Sequence, residues 1–251
     1  MDRKFTLHRN EADARDLKYR SLARTTTAPS SLDLRASGNV PRALNQGDLG
    51  SCVSNAVSNA LRFAMKQRRV ANFQPSRLQN YYDARVKVSG WPAAKDTGLT
   101  MRSGCQAAVA HGVCPEMLCP YTISRFSAPP NIRATSEALK RRSFRYYAVG
   151  QTLPELKRVL ADGNIVMCGI LVFRGFLVAA GTGVVPMPDA SERHLGGHAQ
   201  TLVGYSDSKG AFLSLNSWGP EFGEDGCSWI PYAYVLNPAL AGDFTVIVAT
   251  G

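Results

Sequence analysis

The sequence predicts an α+β protein in which a helical half packs against a β half. In the front half, apolar residues recur at the three- and four-residue spacing of a helix face. After about residue 164 they form short continuous runs bounded by Gly, Asp or Ser, which is typical of strands. No internal repeat is visible. Because pockets favour the junction of two such halves, we expect a cleft between them.

The helix with the clearest pattern starts at Cys52. Its apolar positions are Val53, Ala56, Val57, Ala60, Leu61, Ala64 and Met65, while Ser54, Asn55, Ser58, Asn59, Arg62 and Lys66 lie on the other face. Further helical patterns cover residues 75–86, 99–110 and 153–160, and Thr152 precedes the last of them as an N-cap. The front half is therefore helical in character.

The strand-like runs cover residues 165–173, 199–205, 211–215 and 245–248. Residues 1–29 are charged and weakly periodic, and they end in a linker-like stretch at 25–31. We therefore divide the chain into an N-terminal extension (1–29), a helical lobe (30–143) and a β-rich lobe (144–251).

Composition restricts the function classes. The net charge is +10, yet no nucleic-acid motif accompanies the basic and aromatic cluster at 140–147, so we interpret that cluster as a solvated face and expect no specific nucleic-acid partner. No apolar run approaches the roughly 18 residues of a membrane span, so we expect no membrane partner. The polar N-terminus lacks a Sec signal, which predicts a cytoplasmic protein or export by a non-Sec route.

Six cysteines lie at positions 52, 105, 114, 119, 168 and 227, without the spacing of a disulfide scaffold. Setting Cys52 aside leaves an odd number, so at least one other thiol is free or pairs with another molecule. Only Cys114 and Cys119 are close enough in sequence to bridge locally. Their spacing does not fit a zinc site, and we expect mostly reduced thiols, no metal and no cofactor.

Cys52 is a candidate nucleophile because it opens a helix. Unpaired N–H groups and the positive end of the helix dipole favour an anion there, and the thiolate is the nucleophilic form of cysteine. Gly47 and Gly50 let the backbone approach closely before the helix. Gln46 could aim its side-chain NH₂ at an oxyanion beside the Cys52 N–H.

Among the four histidines, His198 is the candidate base. It follows two glycines and precedes the strand at 199–205, and Asn216 ends the next strand, so a hairpin would bring the amide against the imidazole. Trp218 would shield that hydrogen bond from water or simply pack in the core. We expect His194 to lie on the surface and His8 and His111 to be structural or exposed.

These motifs resemble the active-site signatures of papain-like cysteine peptidases, and the likeness is closest to the bacterial branch of that family. The matching segments are Asn45 to Cys52, Gly197 to Ala199 and Asn216 to Gly219. The resemblance implies a papain-like two-lobed fold with an antiparallel β-barrel-like lobe, and a cysteine endopeptidase that acts through a thioester. It also implies the following site: Cys52 as nucleophile, His198 as base and acid, Asn216 as orienting group, Gln46 as oxyanion donor, and Gly98, Leu99, Gly169, Ala199 and Trp218 at the substrate.

Two departures from the family pattern concern structure rather than chemistry. Leu49 stands where the family usually has a disulfide cysteine, and Val53 replaces the tryptophan that commonly follows the nucleophile. No long inhibitory propeptide is visible. We expect a monomer that binds peptide or protein substrates. Its own extension could lie over the cleft, anchored by Phe5, Leu7, Leu17, Tyr19 and Leu22. The other interpretation of that segment is a disordered basic tail.

Three other function classes remain open at this point. A catalytically silent binding protein on the same fold is one, although all four chemical positions are filled. An amidase or acyltransferase would use the same Cys and His, and the Asn-Ser-Trp-Gly signature favours the peptidase over it. An anionic-polymer-binding protein rests on charge alone.

Overall fold

The helices occupy mainly the front half of the chain, as predicted. The computed structural model describes residues 3–20, 28–189 and 191–250. The helices are α1 (Cys52–Gln67), α2 (Arg77–Tyr82) with a π-helical continuation at Asp83–Val88, α3 (Met101–His111), α4 (Ile132–Leu139), α5 (Leu153–Ala161), α6 (Ala179–Thr182) and α7 (Tyr232–Val235), with 3₁₀ turns at Leu34–Ser37, Ile123–Arg125 and Arg174–Val178. No helix of these described residues is long and apolar enough to cross a membrane.

A seven-stranded antiparallel sheet fills most of the back half. The strands of the chain are β1 (Leu7–His8), β2 (Ser31–Asp33), β3 (Leu99–Thr100), β4 (Phe144–Ala148), β5 (Val166–Phe173), β6 (His194–Ser206), β7 (Ala211–Leu215), β8 (Cys227–Pro231) and β9 (Ala241–Ala249). The sheet runs β4-β9-β5-β6-β7-β8, and β2 pairs with the far end of β6. It does not close into a barrel, which corrects the barrel-like expectation, while the mixed helical and sheet architecture is confirmed.

Helix α1 is the central packing element. It contacts β5, β6 and β9 as well as α2 and α3, and its residues are buried from Cys52 to Met65, apart from Arg62. Four of the polar residues assigned to its other face are buried too, since that part of the face meets helices rather than solvent: Ser54, Asn55, Ser58 and Asn59. Asn55 Nδ2 donates to the Ser51 carbonyl and Ser58 Oγ donates to the Pro75 carbonyl, whereas Ser54 Oγ and Asn59 Oδ1 have no partner among the described residues.

The register of the sheet places the candidate base and its partner side by side. Ile170 of β5 lies opposite His198 of β6, and Thr201 of β6 lies opposite Leu215 of β7. Asn216 follows Leu215 directly. Because β6 and β7 are antiparallel neighbours, the end of β7 returns to the level of His198, as the sequence predicted.

One predicted helix starts two residues late. The pattern at 99–110 predicts helix throughout, but Leu99 and Thr100 form β3 and α3 starts at Met101. The later start is caused by a tertiary contact, because β3 pairs in parallel with β1 of the extension and Leu7 lies opposite Leu99. Thr100 then caps α3 by accepting a hydrogen bond from Ser103 N at 3.0 Å.

The extension contacts the rest of the protein through some of its described residues and leaves others exposed. Tyr19 lies 6.3 Å from the Tyr147 ring and donates to Asp162, whereas Leu17 is 59% exposed. Leu22 and residues 25–27 of the predicted linker lie outside the described residues. The six cysteines, all within the described part, carry free thiols.

Candidate active site

The imidazole of His198 is held by one amide. Its Nε2 lies 2.8 Å from Asn216 Oδ1, which also accepts from the Ser217 N–H at 2.7 Å. Since an amide oxygen only accepts, Nε2 carries the proton and Nδ1 presents its lone pair. Within the described residues, Nδ1 has no hydrogen-bond partner, so it is free to take a proton.

Trp218 covers this hydrogen bond. Its ring centroid lies 5.0 Å from that of His198, tilted by 33°, and Phe176 and Phe222 contact the indole edge-on. The two alternative roles drawn from the sequence therefore coincide, because the indole packs in the core and shields the imidazole at the same time.

Cys52 is the first residue of α1 and is only 1% exposed. Burial raises the pKa of its thiol to about 11, and the charge of Asp96 adds to that rise. Backbone hydrogen bonds from Ala199 and Val53 act in the opposite direction. The bond to Ala199 brings the thiol next to the strand residue that follows His198.

Burial acts on His198 in the opposite sense. The pKa of the imidazole is lowered to about 4, mainly by desolvation; the Asn216 hydrogen bond opposes this shift and the nearby Arg3 guanidinium adds to it. The thiol and the imidazole are thus both neutral near pH 7 in this structure.

Both polar atoms of the Gln46 side-chain amide are hydrogen-bonded. Its Oε1 accepts from Ser217 Oγ at 2.6 Å, and its Nε2 donates to the Leu49 carbonyl at 2.9 Å. An amide nitrogen carries two hydrogens, so one N–H remains for the cleft. Ser217 was part of the Asn-Ser-Trp-Gly motif, but the sequence did not reveal that it orients Gln46.

A buried polar network supports the loop that precedes α1. Tyr121 OH donates to the Gln46 carbonyl at 2.9 Å and lies 2.5 Å from Ser51 Oγ. The Arg77 guanidinium lies 3.7 Å from the centroid of the Tyr121 ring. Arg77 also donates to the Asn45 carbonyl and to Asn55 Oδ1, so α2 holds both the start of the loop and the first turn of α1.

Residues 3–8 of the extension lie in the cleft between these groups. The Phe5 ring meets His198 and Trp218 edge-on, each at 6.1 Å between centroids, and Arg3 lies 4.3 Å above the Trp218 ring. Thr6 forms a bridge with Gly197 and donates to the Gly50 carbonyl at 3.2 Å. This segment therefore lies against the imidazole of His198 on the side of the Phe5 ring.

The residues predicted to bind substrate lie around this same segment of the extension. A Cβ on Gly98 would overlap the Thr6 carbonyl, and a Cβ on Gly169 would meet the Leu7 side chain. Leu99 pairs with Leu7 in the backbone register, and Ala199 lies opposite Gly169 across β5 and β6. These four residues and Trp218 therefore surround residues 5–7.

The other three histidines lie outside this cluster. His194 is exposed and contacts the Phe173 ring edge-on at 6.2 Å. His8 is exposed in β1, with Nε2 2.7 Å from the Thr97 carbonyl, and His111 ends α3. The arrangement around His198 supplies a thiol, a free imidazole nitrogen, an orienting amide and an oxyanion donor, which are the components of acyl transfer.

Comparison with known proteins identifies similar chains over almost the full length. Residues 28–235 match the family described as papain family cysteine protease. An uncharacterized peptidase C1-like protein of Acanthamoeba polyphaga mimivirus is 35% identical over 229 residues, which cover 86% of this chain and 73% of that protein. The crystal structure of xylellain, a cysteine protease from Xylella fastidiosa, superposes with a TM-score of 0.88 at 31% identity and covers 98% of this chain and 96% of that one.

A more distant likeness concerns the fold alone. The digestive procathepsin L2 proteinase from Tenebrio molitor larval midgut superposes with a TM-score of 0.72 at 21% identity. The match covers 93% of this chain and 74% of that chain. The helical and sheet halves thus recur in the same arrangement at low sequence identity.

Proposed function

Because the chain belongs to the papain family of cysteine proteases, we propose that Cys52 is the nucleophile and His198 the general base and acid of a peptide-bond hydrolysis. The protein is a cysteine endopeptidase. In the reaction His198 Nδ1 takes the thiol proton, the sulfur attacks the scissile carbonyl, and the protonated imidazole gives its proton to the leaving amine. Water activated by the same nitrogen then hydrolyses the thioester and releases the acid.

Asn216 orients the proposed base, and Gln46 stabilises the oxyanion. The 2.8 Å bond from His198 Nε2 to Asn216 Oδ1 is the observation that carries the assignment, because it fixes the tautomer that leaves Nδ1 basic. Gln46 donates its free N–H to the oxyanion together with the Cys52 N–H at the start of α1. Ser217 keeps the Gln46 amide in the required orientation.

The chain is divided into an extension (1–29), a helical lobe (30–143) that carries Cys52, and a β-rich lobe (144–251) that carries His198 and Asn216. The content of helices and strands on either side of residue 143 supports this division. The bond between the Cys52 thiol and the Ala199 backbone supports a catalytic cleft at the junction of the two lobes.

The extension acts as an autoinhibitor in this proposal. Phe5 covers the imidazole, and Thr6 occupies the backbone positions between Gly50 and Gly197 where a substrate would lie. A substrate can reach the thiol only when residues 3–8 leave. The raised pKa of Cys52 and the lowered pKa of His198 support a resting state, since both oppose a thiolate–imidazolium pair.

Leu7 indicates the side chain that the substrate pocket accepts. It lies against Gly169 and pairs with Leu99, two of the residues that line this part of the cleft. We therefore propose that the enzyme prefers an apolar, leucine-sized side chain at the residue before the scissile one. A bulkier residue at position 169 would fill that space.

Cleavage-site profiling of a peptide library with wild type and Cys52→Ala tests the catalytic assignment. We expect cleavage after the residue that follows an apolar side chain, and no cleavage by the variant at an unchanged melting temperature. Stoichiometric alkylation of a chain that lacks residues 1–29 should label Cys52 alone. Residual turnover by Cys52→Ala would show that another group is the nucleophile.

Autoinhibition is tested by comparing kcat/KM of the full chain with that of a chain lacking residues 1–29. Leu7→Ala in the full chain is a milder variant, and Leu17→Ala is its matched control because Leu17 belongs to the same extension but is exposed. Deletion and Leu7→Ala should both raise kcat/KM, whereas Leu17→Ala should leave it unchanged. Equal values for all four proteins would exclude occlusion.

A further inference from the structure

Two cysteines that the proposed mechanism does not use flank a tight turn. The Leu118 N–H donates to the Pro115 carbonyl at 2.9 Å, so residues 115–118 form a β-turn and the chain reverses between Cys114 and Cys119. Both side chains pack in one small apolar cluster against α4. The turn thus brings two free thiols into the same cluster.

Ser76 contacts both cysteines from the first turn of α2. Its N–H donates to the Cys114 carbonyl at 2.9 Å, and its hydroxyl donates to the Cys119 carbonyl at 2.7 Å. The same hydroxyl interacts with both thiols. A disulfide requires two Cα atoms within about 7 Å of each other, and the residues that flank a tight turn can satisfy this requirement. One serine that contacts both cysteines is consistent with that separation.

The two thiols differ in their access to solvent. Cys114 is completely buried, whereas Cys119 is partly exposed and lines a cleft of about 110 Å³ together with Arg125. Burial raises the pKa of the Cys119 thiol, and the Ser76 hydroxyl and the Arg125 guanidinium oppose that rise. A reagent from solvent therefore reaches Cys119 first, and Cys114 lies behind it.

We propose that Cys114 and Cys119 form a reversible disulfide when the protein reacts with a small-molecule disulfide. The Cys119 thiolate attacks one sulfur of the reagent and releases one small thiol, so a mixed disulfide forms. The Cys114 thiolate then attacks the Cys119 sulfur and releases the second small thiol. The two protein thiols are thereby oxidised, the reagent is reduced, and the two thiol protons pass to the released thiols.

The bridge would close the chain around two supports of the loop that precedes α1. Glu116 lies inside the turn and binds Arg77 through both carboxylate oxygens, each at 2.8 Å. Tyr121 follows Cys119 by two residues and donates to the Gln46 carbonyl. Because the bridge restricts the unfolded chain at this turn, it stabilises the native arrangement of both supports.

The remaining thiols outside the proposed active site differ from this pair in position. Cys105, Cys168 and Cys227 are buried in three separate elements, α3, β5 and β8. We therefore expect one bridge per chain. The inference goes beyond the proposed function, because it needs neither peptide cleavage nor a reactive Cys52.

Treatment of the full chain with oxidised glutathione tests the bridge directly. After free thiols are alkylated under denaturing conditions, trypsin releases residues 103–125, which carry Cys105, Cys114 and Cys119. A glutamate-specific protease then cuts after Glu116, between the last two cysteines. We expect the two halves to stay linked in the oxidised sample, with the alkyl label on Cys105, and to separate after reduction.

Thermal unfolding gives the second measurement. The oxidised chain should unfold about 5 °C above the reduced chain, of the size expected for closing a short loop in a protein of this length. Cys119→Ser treated with the same reagent is the control and should show no rise, since it retains every other thiol. Cys105→Ala removes a buried thiol outside the pair and should behave as wild type.

Separated halves after oxidation, glutathione retained on Cys119, or an alkyl label on Cys114 would overturn the proposal. An equal rise in the melting temperature of Cys119→Ser would show that another thiol is responsible, and linked halves without a rise would overturn the stabilising role. The peptide mapping uses wild type alone, so it decides even where a variant does not fold. Neither measurement uses catalytic activity, so failure of the bridge leaves the assignment of Cys52 unaffected.

Discussion

At the scale of single residues, the proposed nucleophile and the proposed base are both held in their neutral forms. Cys52 has its pKa raised to about 11 and His198 has its pKa lowered to about 4, and burial is the larger cause for both. A thiolate–imidazolium pair needs shifts in the opposite directions. The Phe5 ring lies against His198, so we expect the state of the imidazole to depend on where the extension lies.

Gln46 permits a prediction about the oxyanion. Gln46→Ala should lower kcat on the order of 10²-fold, because it removes one of two donors to the developing charge. Ser217→Ala keeps the donor but frees the amide to rotate, so its loss should be smaller, about tenfold. Steady-state kinetics on one peptide measures both.

The double variant is the control for this prediction. If Ser217 acts only through Gln46, the double variant should be no slower than Gln46→Ala alone. Additive losses would show that the Ser217 hydroxyl has a separate function.

At the scale of helices and strands, the sequence patterns correctly predicted elements whose structure depends mainly on their own residues. Helix α1 follows from its apolar spacing, and β7 has the predicted bounds of residues 211–215. Where the structure differs from the predicted elements, the cause is contact between segments that are distant in sequence. Leu99 became a strand residue because β1 pairs with it, and the basic cluster at 140–147 contains the edge strand β4, whose Phe144 is buried while Arg145 is exposed.

The same distinction holds for the site. Cys52, His198, Asn216 and Gln46 lie in motifs, so the sequence alone could propose them as site residues. Asp96 has no motif, and its position beside Gly50 depends on a loop 46 residues further along the chain. Arg77 and Tyr121 likewise support the loop before α1 through a fold that spacing could not reveal.

Arg77 permits a prediction at this scale. Arg77→Met should lower the free energy of unfolding by about 3 kcal/mol, because the partly buried Glu116 loses its ion-pair partner and the Asn45 carbonyl loses its hydrogen bond from Arg77. The loop that holds Gln46 should loosen as well, which lowers kcat. Denaturant unfolding and kinetics measure the two effects.

Glu116→Gln is the matched variant, since it removes the ion pair but keeps Arg77 on Tyr121 and Asn55. It should lose stability without a comparable fall in kcat. Equal falls in kcat for both variants would show that the ion pair, rather than the contacts of Arg77 with the loop, supports catalysis.

At the scale of the whole molecule, the extension joins both halves of the chain. Asp16 pairs with Arg102 of α3 at 2.5 Å, and Lys18 bridges to Ala148 at the end of β4. Residues 3–8 then cross the cleft. In the proposed autoinhibition, residues 3–8 leave the cleft while residues 16–20 stay bound, which predicts a reversible process.

The buried pair should make the proposed closure depend on pH, with a sign that follows from the two pKa shifts. The closed form holds His198 at a pKa of about 4, and we expect an uncovered imidazole to return toward the ordinary 6.5, so that the open form alone binds a proton as the pH falls below that value. Closure weakens progressively down to pH 4, by about 3 kcal/mol in full. Above pH 9 the open form loses the Cys52 proton first, so closure weakens again as the pH rises toward 11.

The closed form should therefore be most stable between about pH 6.5 and pH 9. The measurement is the ratio of kcat/KM for the full chain to that for a Phe5→Ala, Leu7→Ala double variant, because the intrinsic pH dependence of catalysis cancels in it. The ratio should be lowest inside that window and rise toward one below it, and Leu17→Ala should behave as wild type. A ratio that stays constant from pH 4 to pH 8 would mean that burial of His198 by the extension does not control opening.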